Sequence, residues 1–168
     1  MNDLRTANLL GALALALNDR LTDVTSARAE RGAAAPAALV TVSFYPGESI
    51  DALAQTLGLS HSATVRLADR LAEDGLLERR GGADGRTSAL YLTRKGRARA
   101  SAILKDRADS LVEALKPLSV EESAHLTSLL EKMLGALTQD RQQADHICRL
   151  CDEDVCPGED CPVECAVK

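Results

Sequence analysis

The chain predicts a mainly α fold with one small β-hairpin, an α+β class in which helices do almost all the packing. Three observations carry this. Of 168 residues 45% are hydrophobic, yet only 2% are aromatic and tryptophan is absent, so the core must be built from Leu, Ala and Val, a helix-favouring set. Apolar residues recur at three- and four-residue intervals over most of the length. Between residues 76 and 93 the pattern changes instead to two short apolar runs around a glycine-rich tip, as a hairpin requires. The length suits one core of ordinary size plus an appendage.

Taken in order, Leu10, Leu13, Leu17, Leu21 and Val24 mark an amphipathic first helix. Residues 32–36 form a small-residue hinge. Residues 37–45 carry the β-formers Val40, Val42, Phe44 and Tyr45 and allow a strand, but a short buried helix ending before Pro46 is preferred. Pro46-Gly47 signals a turn, after which Ser49 caps a helix with Ile50, Leu53, Ala54 and Leu57 on one face. Gly58 stops it. Ser60 caps the next, whose inward stripe is expected to be Val65, Ala68, Leu71 and Ala72, with Leu67 on the flank. Two capped helices separated by so short a turn make a helix-turn-helix. The hairpin follows, its reversal assigned to Gly81, Gly82 and Gly85, so the unit becomes a winged helix-turn-helix.

Thr93 caps a long helix with Leu104, Ala108, Leu111 and Leu115 in one stripe, ended by Pro117. Ser119 and Glu122 form a capping box for a last helix bearing Leu126, Leu129, Leu130, Met133, Leu134 and Leu137, and polar residues 139–145 are expected to carry that helix on toward the tail. The first and last helices have apolar faces too broad for one protomer, which predicts pairing across a two-fold axis. The expected organisation is a dimerisation helix (1–33), a winged helix-turn-helix DNA-binding domain (34–100), C-terminal dimerisation helices (101–145) and a cysteine-rich metal-binding or redox tail (146–168).

The net charge of −5 conceals a division. Residues 60–100 hold nine basic against five acidic side chains, whereas residues 145–168 hold seven acidic against two basic. A basic helix-turn-helix with a wing is the footprint of a double-stranded DNA partner. The N-terminal end of the second helix, nearest the base edges in a major groove, carries Ser60, His61, Ser62 and Thr64, whose side chains suit bases and phosphates. Arg66 suits guanine or phosphate, and Arg70, one turn on, the DNA backbone or a neighbouring carboxylate. His125 reads as an ordinary helix-face histidine.

Several stretches together resemble the MarR family of bacterial transcription regulators over roughly residues 4–137. They are Leu53-Ala54-Gln55-Thr56-Leu57-Gly58-Leu59-Ser60, Arg66-Leu67-Ala68-Asp69-Arg70-Leu71, Asp74-Gly75-Leu76-Leu77-Glu78-Arg79-Arg80, Asp84-Gly85-Arg86, Leu90-Tyr91-Leu92-Thr93 and Gly96-Arg97. The resemblance implies that Arg86 reaches from the wing tip into the minor groove with Asp84 holding its guanidinium, a place where narrow-groove potential favours arginine. The two-fold homodimer expected from the apolar first and last helices implies a pseudo-palindromic operator with half-sites about one helical turn apart. The resemblance also implies small aromatic effectors, for which Phe44, Tyr45 and Tyr91, the only aromatics, give little to build a pocket from.

All five cysteines lie in the tail: Cys148, Cys151, Cys156, Cys161 and Cys165, with His146 just upstream. An odd, clustered set points to metal or redox chemistry in the cytoplasm rather than to a disulfide scaffold. The apolar run 7–17 behind Arg5 has the look of a signal-peptide core, but its small residues fall inside the run and it is too short to span a membrane. One knuckle followed by two Cys-Pro pairs favours an iron–sulfur cluster over zinc, with Cys148, Cys151, Cys156 and Cys161 as ligands and Cys165 spare or substituting. A free-thiol switch and an incidental acidic tail are the plainer readings. No nucleophile–base pairing or phosphate loop is present, so no enzyme is expected. Two functions are thus set against each other: a repressor controlled by a cysteine-ligated centre, and a redox or electron-transfer protein that uses the centre directly.

Overall fold

The computed structural model describes residues 4–29, 34–81 and 88–168. Its elements are α1 (Leu4–Ala29), α2 (Ala35–Phe44), β1 (Glu48–Ser49), α3 (Ile50–Leu57), α4 (His61–Glu73), β2 (Leu77–Gly81), β3 (Ser88–Leu92), α5 (Arg94–Leu115), α6 (Val120–Leu137), α7 (Arg141–Cys148) and α8 (Pro162–Cys165). The fold is mainly α with a three-stranded antiparallel sheet of order β1-β3-β2.

Local chemistry places most boundaries. Ser49, Ser60, Thr93 and Ser119 each accept a backbone N–H from the first turn they precede, and Ser119 with Glu122 completes the capping box. Helix α2 is buried along Ala35–Val42 on every side, against α1, α3, α5 and β3. Enclosure of this kind favours the element that satisfies its own backbone hydrogen bonds, and it overrides the β preference of Val40 and Val42. The core runs from Leu39 and Val40 through Leu53, Leu67, Leu71, Leu90 and Ile103.

Thr93 does more than cap. Its hydroxyl accepts from Gly96 N at 3.0 Å and donates to Gly75 O at 2.7 Å, tying the end of the wing to the end of α4. Thr93→Ala is therefore expected to cost about 1–2 kcal/mol, read as a lower urea midpoint, with Thr93→Ser restoring most of it.

Several expectations are corrected by packing. In α4 the buried positions are Thr64, Leu67, Ala68 and Leu71, while Val65 and Ala72 are only half-buried, because the stripe is rotated toward α3 and β2. In α5 the buried positions are Gly96, Ala100, Ile103 and Ser110; Ala108 and Leu115 are exposed. Gly81 has no positive φ and pairs with Ser88 at the end of the ladder, and Gly82 and Gly85 lie outside the described residues. Strand β1, too short to leave a sequence pattern, adds an edge to β3. Residues 139–145 do not prolong α6. Its C-cap is Thr138, Asp140 caps the separate helix α7, and α7 folds back against α3.

Two helices keep apolar faces exposed. On α1 these are Leu9, Leu10, Leu13 and Leu15, and α6 buries no residue at all while exposing Leu129, Leu130, Met133 and Leu137. Among the described residues no helix is long and apolar enough to cross a membrane.

Candidate nucleic-acid interface and cysteine cluster

The turn between α3 and α4 is made by Gly58, whose φ of 65° is the left-handed conformation that glycine adopts without a Cβ penalty. It sets the start of α4 on the surface. Ser60 spends its hydroxyl on capping Ala63 N and lies 3.3 Å from the Ser62 hydroxyl. His61 is exposed and pairs through Nδ1 with Asp51 Oδ1 at 2.6 Å, linking the first turns of the two helices. Ser62, Arg66 and Arg70 are exposed, and the two arginines have no ion-pair partner among the described residues.

Thr64, proposed above as a DNA contact, is fully buried, and its hydroxyl donates to Ser60 O at 3.1 Å. It belongs to the core and cannot meet a base edge. Asp84 and Arg86 lie outside the described residues. Two other arginines of the basic segment are engaged: Arg79 pairs with Asp69 at 3.0 Å and donates to Val65 O at 3.2 Å, while Arg80 stacks over Tyr91 at 4.4 Å. Arg79 thereby braces α4 against β2, a positioning role that a run of charges in the sequence does not distinguish from solvation.

Residues 34–87 match the model of the MarR family. Over that segment the chain is similar to the MarR family. No curated protein sequence matches it. Solved structures do. The reduced form of MarR from E. coli is 26% identical, with 74% of this chain and 96% of that one covered and a TM-score of 0.63. A MarR-family regulator from Silicibacter pomeroyi is 26% identical over 79% and 89% of the two chains, with a TM-score of 0.59. MepR, the Staphylococcus aureus regulator of the multidrug efflux pump MepA, shares the fold at 18% identity, 79% and 98% coverage and a TM-score of 0.68. The chain is thus a transcription regulator of the MarR type with a winged helix, and the structures it resembles at 26% identity are transcription regulators.

Its tail is a second site. After α7, tight turns bring the backbone round repeatedly: Cys151 N bonds Cys148 O at 2.7 Å, Cys156 N bonds Asp152 O at 3.1 Å, and Cys161 N bonds Pro157 O at 3.0 Å. Cys148, Cys151, Cys156 and Cys161 consequently line one cavity of about 670 Å³, shared with Phe44 and Tyr45 of the α2 end, Thr56 of α3, Arg107 of α5 and Leu134 of α6. Cys161 is buried beside Val163 and Ala144, with Cys148 and Cys156 packed on them. Cys165 is exposed and turned away, toward Glu159 O at 3.4 Å.

The thiols act on one another. Negative charge on Cys151 or Cys161 disfavours ionisation of both Cys148 and Cys156. The hydrogen bond to Cys151, then burial, pushes Cys148 up, and the same bond, helped by Arg107 and Arg149, pulls Cys151 down to about 6. Burial pushes Cys156 up to about 11. Among the described residues no group of three or more His, Cys, Asp or Glu side chains stands in ready metal-binding geometry. The shared cavity gathers the four thiols on one wall, and a metal would have to draw them closer, with release of the thiol protons.

The tail is also clamped. Arg141 at the start of α7 grips both carboxylate oxygens of Glu164 in α8, at 2.7 and 2.5 Å, and holds that carboxyl below the usual range. Tyr45 OH donates to Glu153 at 3.0 Å, fixing the loop to the end of α2. Helix α8 packs on α6 and α7 packs on α3, so the cysteine segment bridges a helix with an unpartnered apolar face and the helix-turn-helix.

Proposed function

We propose that this regulator is a cytoplasmic homodimeric repressor that binds a pseudo-palindromic operator, and that a metal centre on Cys148, Cys151, Cys156 and Cys161 controls its affinity. The observation that carries the reading is the convergence of four of the five cysteines on one cavity that also touches the helix-turn-helix. Two Cys-Pro steps favour an iron–sulfur cluster, and an all-thiolate donor set also suits zinc. Either would supply a cross-link among the tail's turns, and a cluster would add sensitivity to oxidants. The protein's own residues bind and orient: Arg141 and Glu164 fix α8, and Arg107 and Arg149 offset thiolate charge. Dimerisation is supported by α6, which needs a partner to cover Leu129, Leu130, Met133 and Leu137.

DNA contact is assigned to Ser60, His61, Ser62, Arg66 and Arg70, with Arg86 and Asp84 at the wing. Arg66→Ala is expected to weaken binding to the chain's own promoter DNA by about 10-fold and to lower the salt dependence by about one counterion. Fluorescence anisotropy across a salt series, with sedimentation to establish the dimer, checks both. The rival electron-transfer reading would be favoured by a metal-loaded protein with no salt-dependent DNA affinity.

A further inference from the structure

We propose that α7 is the lever joining the cysteine centre to the DNA-reading surface, with His146 as the positioning residue that holds the helix-turn-helix turn in its binding geometry. The inference rests on the reading that the cysteines hold a centre. It adds the route: control passes within one chain, from Cys148 through α7 to the turn, rather than by resetting the dimer helices.

The contact is made at a carbonyl that the closing bonds of the turn leave open. Helix α3 ends at Leu57, and its closing bonds, Gly58 N to Gln55 O at 3.1 Å and Leu59 N to Ala54 O at 3.0 Å, bypass Thr56 O. The last carbonyls of a helix have no partner within it and need one from elsewhere. Here Thr56 O receives His146 Nδ1 at 2.8 Å. A carbonyl only accepts, so Nδ1 carries the proton. The imidazole also lies against the turn: a Cβ built on Gly58 would stand 3.2 Å from His146 Cε1. Two residues later Ser60 caps α4, so whatever fixes Gly58 fixes the start of the recognition helix.

The other end of the lever is in the cysteines. His146 is two residues from Cys148, which lines the cavity together with Cys151, Cys156 and Cys161, while Arg149 donates to the His146 carbonyl. An eight-residue helix is too short to persist by itself in water. Helix α7 therefore depends on its anchors: Arg141 with Glu164 at one end, the cysteine turns at the other, and buried Ala144 between. With the centre in place α7 is held and His146 seats the turn. With the centre gone α7 frays from its C-terminal end, Thr56 O returns to water and the turn is released. Because coupling is reciprocal, operator DNA must in turn favour retention of the centre by the same factor.

The test compares the full chain, metal-loaded and chelator-stripped, with His146→Ala in the same two forms, titrating each with promoter duplex. Stripping is expected to weaken the unsubstituted protein about 10-fold. Loaded His146→Ala should carry the same metal and the same circular dichroism, bind as weakly as the stripped protein, and change less than about 2-fold on stripping. Promoter duplex should slow metal loss to the chelator from the unsubstituted protein but not from His146→Ala. Amide exchange at residues 57–61 should rise when the unsubstituted protein is stripped, a reading that needs no variant. If His146→Ala keeps the full loaded-to-stripped difference, or if exchange at the turn is unmoved, the lever is overturned while the centre stands. A protein that binds no metal, or whose affinity ignores stripping, overturns both.

Discussion

Gly96→Ala is expected to be the most damaging single methyl that can be added to this protein, lowering stability by about 3–4 kcal/mol and the melting temperature by about 10 °C. Gly96 is buried in the first turn of α5, where a Cβ would fall 1.9 Å from Leu76 O and 2.9 Å from Leu76 C. Both are backbone atoms and no rotamer can move them aside. The same Leu76 carbonyl accepts Thr93 N at 3.1 Å, so a shift that accommodates the methyl also breaks the junction where α4, the wing and α5 meet. The matched control is Gly81→Ala, where a Cβ meets nothing within 4 Å among the described residues and no positive φ is required. It should change stability by less than about 0.5 kcal/mol. Thermal unfolding of both variants decides the matter, and equal melting temperatures would contradict the close approach.

The largest functional effect is expected from the cysteines. Cys148→Ser and Cys161→Ser should each abolish bound iron or zinc and weaken operator binding about 10-fold, within the range of ordinary coupling energies. Cys165→Ser should leave both unchanged. The contrast follows from position: Cys161 is buried at the centre of the tail cluster and Cys148 packs against that cluster, whereas Cys165 faces away toward Glu159. Metal analysis and a visible spectrum after anaerobic purification separate the cluster, which absorbs and carries sulfide, from zinc, which is colourless. Circular dichroism of each variant distinguishes loss of metal from loss of fold. A Cys165→Ser protein that loses its metal along with the others would refute the four-cysteine set.

Much of the fold is legible because its signals are local. A Ser or Thr before an apolar stripe competes for the orphan N–H groups of the first turn wherever the rest of the chain lies, and Ser49, Ser60, Thr93 and Ser119 all mark helix starts. The glycine-tipped run announces the wing, and the Gly96-Arg97 step carries the family resemblance because the junction there admits no side chain. Individual side chains are less legible. Thr64, at the fourth position of α4, can be read as a groove contact or as a core residue whose hydroxyl bonds back to the preceding turn; a rotation of the stripe toward Leu67 made it the second. Nor does the basic run separate Arg79 and Arg80, which brace the wing, from Arg66 and Arg70, which have no ion pair among the described residues.

The amino-acid pattern alone thus decides the element types, the helix-turn-helix with its wing, the resemblance to a family, and the gathering of cysteines at one end, because propensity, capping and glycine punctuation act over a few residues. Tertiary structure alone decides where α7 goes. Asp140 is a local cap signal for a helix beginning at Arg141, but nothing in residues 139–148 says that this helix turns back onto α3 and offers His146 to the Thr56 carbonyl. That outcome depends on an orphan carbonyl some ninety residues earlier in the chain and on a salt bridge to Glu164 later in it. Contacts between distant parts of a chain are fixed by which surfaces remain to be buried once the local elements have formed.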